Sequence, residues 1–354
     1  MLAISLLLYA SIAAAASPSY SPAALAASFN LSKTLIPTFP SSPVDSSTAS
    51  TYISSSNWLV SGSVDNPQNL QFVADPYPNS SPNQQNPSAT SSDASPTVLQ
   101  ITYPSGSFSH STGGTQFSNF FNSTASSGSP YQSMILSYEV AFPQGFQFVK
   151  GGKLPGLRGG PLTSGCGSGG NQPDGEDCFS MRLMWRTLGT GEAYAYIPEA
   201  NNLCSESNII CNDDGFGVSI SRAVFSFTPT EWTRITMLVQ LNDPGYANGR
   251  MWLYYNDLQA IRQDDLYYRS SDAINSIQGL FFSTFFGGND ASWATPVTQN
   301  TYFRNIQLYA GTSPSNVTGA QPVKSFNAAP ALKFNLGFSS VVVGILVTLG
   351  LSCL

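Results

Sequence analysis

Basic and phenolic side chains crowd into residues 150–196 of an otherwise weakly charged chain. Only five lysines occur in the whole sequence, and Lys150 and Lys153 both lie here, in Lys-Gly-Gly-Lys-Leu-Pro-Gly-Leu. Arg182 and Arg186 follow in Phe-Ser-Met-Arg-Leu-Met-Trp-Arg, and Tyr194 and Tyr196 in Gly-Glu-Ala-Tyr-Ala-Tyr. Cations neutralise anions and phenols exchange protons, so the set suits a site that handles an acidic ligand.

The elements carrying these residues read as strands. Period two sends Ser180, Arg182 and Met184 to one face and Phe179, Met181, Leu183 and Trp185 to the other. The apolar face belongs in a core, which leaves Arg182 and Ser180 on a face that can form a ligand groove. Tyr194 and Tyr196 also share a face, about 7 Å apart at about 3.3 Å of rise per residue. A Tyr-x-Tyr in a β protein ordinarily packs with only its hydroxyls wet; the company of Lys153, Ser180 and Arg182 favours a substrate site. His110, the only histidine, stands in Phe-Ser-His-Ser-Thr-Gly-Gly and is a candidate for the groove rim, against a plain surface or packing role.

Hydrolysis by a carboxylate pair is disfavoured. None of the six glutamates, Glu139, Glu176, Glu192, Glu199, Glu206 and Glu231, fits a Glu-x-Asp-x-x-Glu strand. Glu192 shares the face of Tyr194, yet an edge or solvent position is expected for it. Asn212-Asp-Asp-Gly reads as a turn, because the remaining spaced oxygen ligands of a calcium loop are missing. No metal or organic cofactor is expected.

Short β-like runs recur between turn signals, at 97–103, 133–142, 179–186, 192–197, 217–220, 232–241, 250–255, 277–286 and 301–309. The expected fold is all-β: a two-sheet antiparallel sandwich of jelly-roll type with few short helices. A net charge of −6 argues against a nucleic-acid partner, and 10% charged with 12% aromatic residues suits a carbohydrate-facing secreted protein.

Both ends look like processing signals. Residues 1–16 form an apolar stretch ending in small residues, as in a cleaved secretory signal. Residues 17–50 are a Ser/Pro/Ala-rich N-terminal segment, and residues 51–311 form the folded domain, within which 77–96 should be irregular. Residues 312–327 read as a stalk. Residues 328–354 carry small residues, a spacer and an apolar tail, as in a removed GPI-attachment signal, placing the mature protein at the cell surface as a monomer. Sequons at Asn30, Asn79, Asn122 and Asn316 agree with a secretory route. Short loops favour the disulfides Cys166–Cys178 and Cys204–Cys211, and the lone histidine with no C-x-x-C argues against zinc.

Three segments resemble polysaccharide lyase family 14, which includes alginate and glucuronate-specific lyases. They are Phe-Val-Lys-Gly-Gly-Lys-Leu-Pro-Gly-Leu at 148–157, Phe-Ser-Met-Arg-Leu-Met-Trp at 179–185 and Tyr-Ala-Tyr at 194–196. The pairing of secretion signal and GPI-like tail looks fungal. The resemblance implies a β-jelly roll that cleaves a uronic acid polymer by β-elimination, with Lys153, Ser180, Arg182, Tyr194 and Tyr196 as the functional set. Lys153 or Arg182 would neutralise the uronate carboxylate, Ser180 and Arg182 would orient it, and a tyrosine would act as base or acid, its pKa lowered by the two cations. Outside that set, His110 is a further candidate substrate contact by its loop position alone, where it would assist proton transfer. The competing reading is a non-catalytic carbohydrate-binding or cell-wall surface protein on the same fold.

Overall fold

A computed structural model describes residues 20–82, 96–124, 130–161, 172–212 and 215–322. In chain order its strands are β1 (Lys33–Leu35), β2 (Val60–Asp65), β3 (Leu70–Ala74), β4 (Thr97–Tyr103), β5 (Thr115–Asn119), β6 (Ser133–Ala141), β7 (Gly151–Gly159) and β8 (Phe179–Arg186). There follow β9 (Thr190–Tyr196), β10 (Ile209–Ile210), β11 (Val218–Ser226), β12 (Thr233–Gln240), β13 (Gly249–Tyr255), β14 (Leu258–Leu266), β15 (Ile277–Phe286) and β16 (Gln299–Gly311). One sheet runs β14-β13-β12-β6-β16-β4-β3, with β1 added to β16; the other runs β10-β11-β9-β8-β7-β15-β5-β2. The two antiparallel sheets form the expected sandwich of jelly-roll type. The only α-helices among the described residues are α1 (Pro22–Ser28) and α2 (Ser46–Ser55).

Strand parity fills the core as the sequence suggests. Phe179, Met181, Leu183 and Trp185 of β8 are all fully buried between the sheets. The Trp185 ring meets Tyr103, Phe142 and Phe286 at 5.8, 5.9 and 5.2 Å between centroids. A Cβ on Gly152 would lie 2.0 Å from that indole, so β7 can pass over Trp185 only with glycine there.

Parity fails usefully in β7. Between Leu154↔Leu183 and Leu157↔Met181, three steps on β7 oppose two on β8, which is a β-bulge at Pro155 and Gly156. Leu154 and Leu157 therefore both reach the core although three residues apart, while Lys153 stays off that face. The Pro155 carbonyl accepts from the Tyr138 hydroxyl at 3.1 Å, so the bulge is tied to the opposite sheet.

The ordered body is larger than composition suggests at both ends. Within residues 17–50, α1 is capped by Ser21 and buries Leu25 and Ala26 against Ile135, Leu238 and Tyr254. β1 pairs with β16, and α2, capped by Asp45, buries Ala49 and Ile53. The segment expected as a stalk also lies on the body: Ser315 N–H donates to Leu241 and Ala247 N–H to Ala320. Residues 77–80 form no strand, but Ser80 holds Trp232 and Arg304, and Arg304 bridges Asp75 and Glu139.

Cys204–Cys211 is formed, and Cys178 is disulfide-bonded while its expected partner Cys166 lies outside the described residues. Asn30, Asn79 and Asn316 are exposed and Asn122 is half-buried. Residues 1–16 and 328–354 also lie outside the described residues; among those described, no helix is long and apolar enough to cross a membrane.

Candidate active site

On the face of the β8 sheet turned away from the core, a cleft of about 630 Å³ crosses the strands. Lys153, Tyr194, Tyr196 and His110 all line it. Lys153, opposite Met184 in the regular register just before the β7 bulge, is 7% exposed. Its Nζ stands 3.2 Å from the centre of the Tyr194 ring and donates to the Met184 sulfur at 2.8 Å. No carboxylate pairs with it among the described residues. Burial, then the charges of Arg182 and Arg186, hold its pKa well below the usual lysine value, with Glu192 opposing weakly. The ring face attracts a cation by about 0.5–2 kcal/mol. Desolvation beside two guanidiniums opposes that and disfavours the charged form of the amine.

Tyr194 and Tyr196 meet edge to face at 5.8 Å between centroids, packed with Met184 and against Trp293. Gly217 makes room for them: a Cβ there would lie 2.7 Å from one ring and 2.8 Å from the other. The expectation that nearby cations lower their pKa values is overturned. Burial raises both; for Tyr194 the neighbouring Tyr196 adds to it, and Arg186 and Arg182 do not offset it. Both phenols are therefore held in their protonated form below the ordinary tyrosine value.

Ser180 and Arg182 share the face of the tyrosines but do not line the cleft. Both are completely buried. Arg182 donates from Nη1 to Ser283 Oγ at 3.0 Å, and its guanidinium lies 5.7 Å from the Tyr196 ring centre and 4.9 Å from that of Phe281. It underlies the tyrosines and adds positive charge beneath them. His110 does reach the rim, with Nδ1 3.5 Å from an Asp65 carboxylate oxygen and its ring against Phe285.

The family model for polysaccharide lyase 14 matches residues 91–306. The chain belongs to that family. It is a polysaccharide lyase, and its fold is that of the solved members. The crystal structure of the marine PL-14 alginate lyase from Aplysia kurodai is 35% identical over 62% of this chain and 85% of its own, with a TM-score of 0.55. Alginate lyase vAL-1 from Chlorella virus, 21% identical, covers 76% of this chain and 98% of its own at a TM-score of 0.51, which speaks for the fold alone. No curated protein matches the chain significantly.

Beside the lyase cleft stand further residues to which the sequence assigns no role in the site. Glu192, expected at an edge or in solvent, is fully buried and accepts from Arg186 Nε at 2.8 Å, Ser219 Oγ at 2.7 Å and Arg222 Nε at 2.8 Å. Both arginines line the cleft, as does Trp293, against which Arg186 and Lys150 stand. Parity places Arg186 on the face of Arg182 and Glu192 on that of Tyr194, but it does not show that the two pair. It could not have found Arg222. There β11 takes five steps, from Ile220 to Phe225, against two on β9, from Ala193 to Gly191.

Proposed function

We propose that this lyase cleaves a uronic acid polymer, alginate or glucuronan, by β-elimination at the cell surface. The observation that carries the reading is the contact of a buried, carboxylate-free lysine with a tyrosine pair in a cleft lined by further cations. The protonation states support a division of labour that reverses the tyrosine-base expectation. Lys153, as neutral amine, takes the C5 proton; Arg186, beside Tyr194, neutralises the uronate carboxylate into which charge moves. A phenol, Tyr194 or Tyr196, gives its proton to O4 as the C4–O4 bond breaks and the C4–C5 double bond forms. The resulting ammonium and phenolate are neighbours, so one proton transfer restores the starting state.

Secretion, glycosylation at the sequons and GPI anchoring belong to the same proposal, on the strength of the two terminal segments. The experiment is ultraviolet absorbance of the unsaturated uronate after incubation with glucuronan, polymannuronate and polyguluronate. An increase with at least one is expected. Binding without any increase would favour the non-catalytic alternative. Release from membranes by a phosphatidylinositol-specific phospholipase tests the anchor, and resistance would refute it.

A further inference from the structure

Arg222 is positioned at a conformational cost that its ion pair does not explain. It is flanked by Ser221 and Ala223, both non-glycine residues in the left-handed region at φ 52° and 64°. These lie within the β11 bulge that breaks register with β9. The ion pair gained is with a Glu192 that already accepts two N–H groups from Arg186 and a hydroxyl from Ser219. The Arg222 side chain is 41% exposed, so that pair is screened and returns little. Strain of this kind marks a place where direction of the side chain is what matters.

The direction is fixed at Nε. Glu192 Oε2 accepts from it at 2.8 Å and Ser219 Oγ lies 3.3 Å away. The two terminal NH₂ groups of Arg222 have no acceptor among the described residues, and the residue lines the cleft. A guanidinium pinned at one end with a free planar fork at the other is the geometry that takes a carboxylate by two parallel hydrogen bonds. Arg222 is on β11, and β9 and β8 separate it from Lys153 on β7. Beyond it the cleft continues to Ile210 and Phe216, giving room for a further sugar on that side.

We infer that Arg222 is a second carboxylate site, which binds a uronate next to the one being cleaved, and that Glu192 is its positioning residue. The inference rests on the uronate reading above and names the feature of the polymer it selects: a carboxylate on a neighbouring residue as well as at the point of cleavage. Arg186, beside Tyr194, serves the reacting sugar; Arg222 serves the next one.

The test separates binding from chemistry. Kd for saturated hexameric glucuronan and alginate oligomers is measured by calorimetry at low salt for Lys153→Ala and for Lys153→Ala with Arg222→Gln, and KM and kcat on polymer for Arg222→Gln alone. Loss of one charge-assisted bidentate contact should raise both Kd and KM about tenfold while kcat holds. Added salt should weaken binding less in the glutamine variant. Arg222→Lys should restore the charge but only part of the affinity. Unchanged Kd in the double variant overturns the inference. So does a fall in kcat at constant KM, which would place Arg222 in the chemical step. If Lys153→Ala still cleaves, the proposed base is wrong, and KM of Arg222→Gln alone still decides the second site.

Discussion

Lys153 Nζ lies 3.2 Å from the centre of the Tyr194 ring, with no carboxylate ion-paired to it among the described residues. An amine whose charged form is disfavoured thus stands in contact with a phenol whose proton is held more tightly. Both states have one cause, removal from water, which disfavours the charged form of each.

Replacing Lys153 by methionine keeps the volume and the Met184 contact region while deleting the amine. Turnover should fall by about 10² or more, the scale of a lost general base. Stability supplies an independent reading. Folded Lys153 releases its proton at lower pH than an unfolded lysine, so between its depressed value and 10.5 the unfolded chain binds more protons and stability rises with pH. Below that window the contribution is gone. Melts of parent and Lys153→Met across pH 6 to 10 should show this rise in the parent alone; parallel curves would sink the neutral-lysine assignment.

Tyr194→Phe and Tyr196→Phe each lose a hydroxyl and almost no packing. At least one should lower kcat by about 10² or more. Because burial raises both pKa values above 10.0, the activity lost by phenol deprotonation should appear only on the alkaline side of that value. Full activity in both variants would remove the tyrosines from the mechanism.

Glu192→Ala leaves two guanidiniums facing each other. Breaking a buried pair costs 3–5 kcal/mol, and since Arg222 can hydrate, a loss of about 3 kcal/mol is expected in urea unfolding. A change under about 0.5 kcal/mol, the level of an ordinary surface site, would contradict the buried network.

Gly217→Ala tests how tightly the tyrosines are placed. The new Cβ would crowd both rings and the Ala195 carbonyl, 2.6 Å away, so backbone and rings must shift. Overpacking of this kind costs about 1–3 kcal/mol, and kcat should fall further than the stability loss implies. An alanine variant with parental kcat would show that the tyrosine positions are not critical.

Strand alternation made much of this molecule legible. The core set of β8, the shared face of Tyr194 and Tyr196 and the sandwich itself follow from a period of two, which is a property of local backbone geometry. The cation and phenol cluster around Lys153 was equally visible as composition. Less visible were β7, disguised by its glycines and Pro155, and α1 and α2, disguised by small and hydroxyl residues whose helices are held by capping and by burial on the sheet.

Tertiary structure alone decided the rest. Bulges in β7 and β11 count residues against a partner strand, so no single strand's sequence reveals that Leu154 and Leu157 share the core or that Arg222 enters the cleft. Whether a side chain is wet likewise depends on distant segments. Arg182 and Glu192 have the same alternation as exposed groove residues yet are sealed beneath them. That burial raises the tyrosine pKa values expected to fall, and lowers that of Lys153: the charged neighbours can be read from the sequence, but the balance between their fields and lost hydration exists only in the folded cleft.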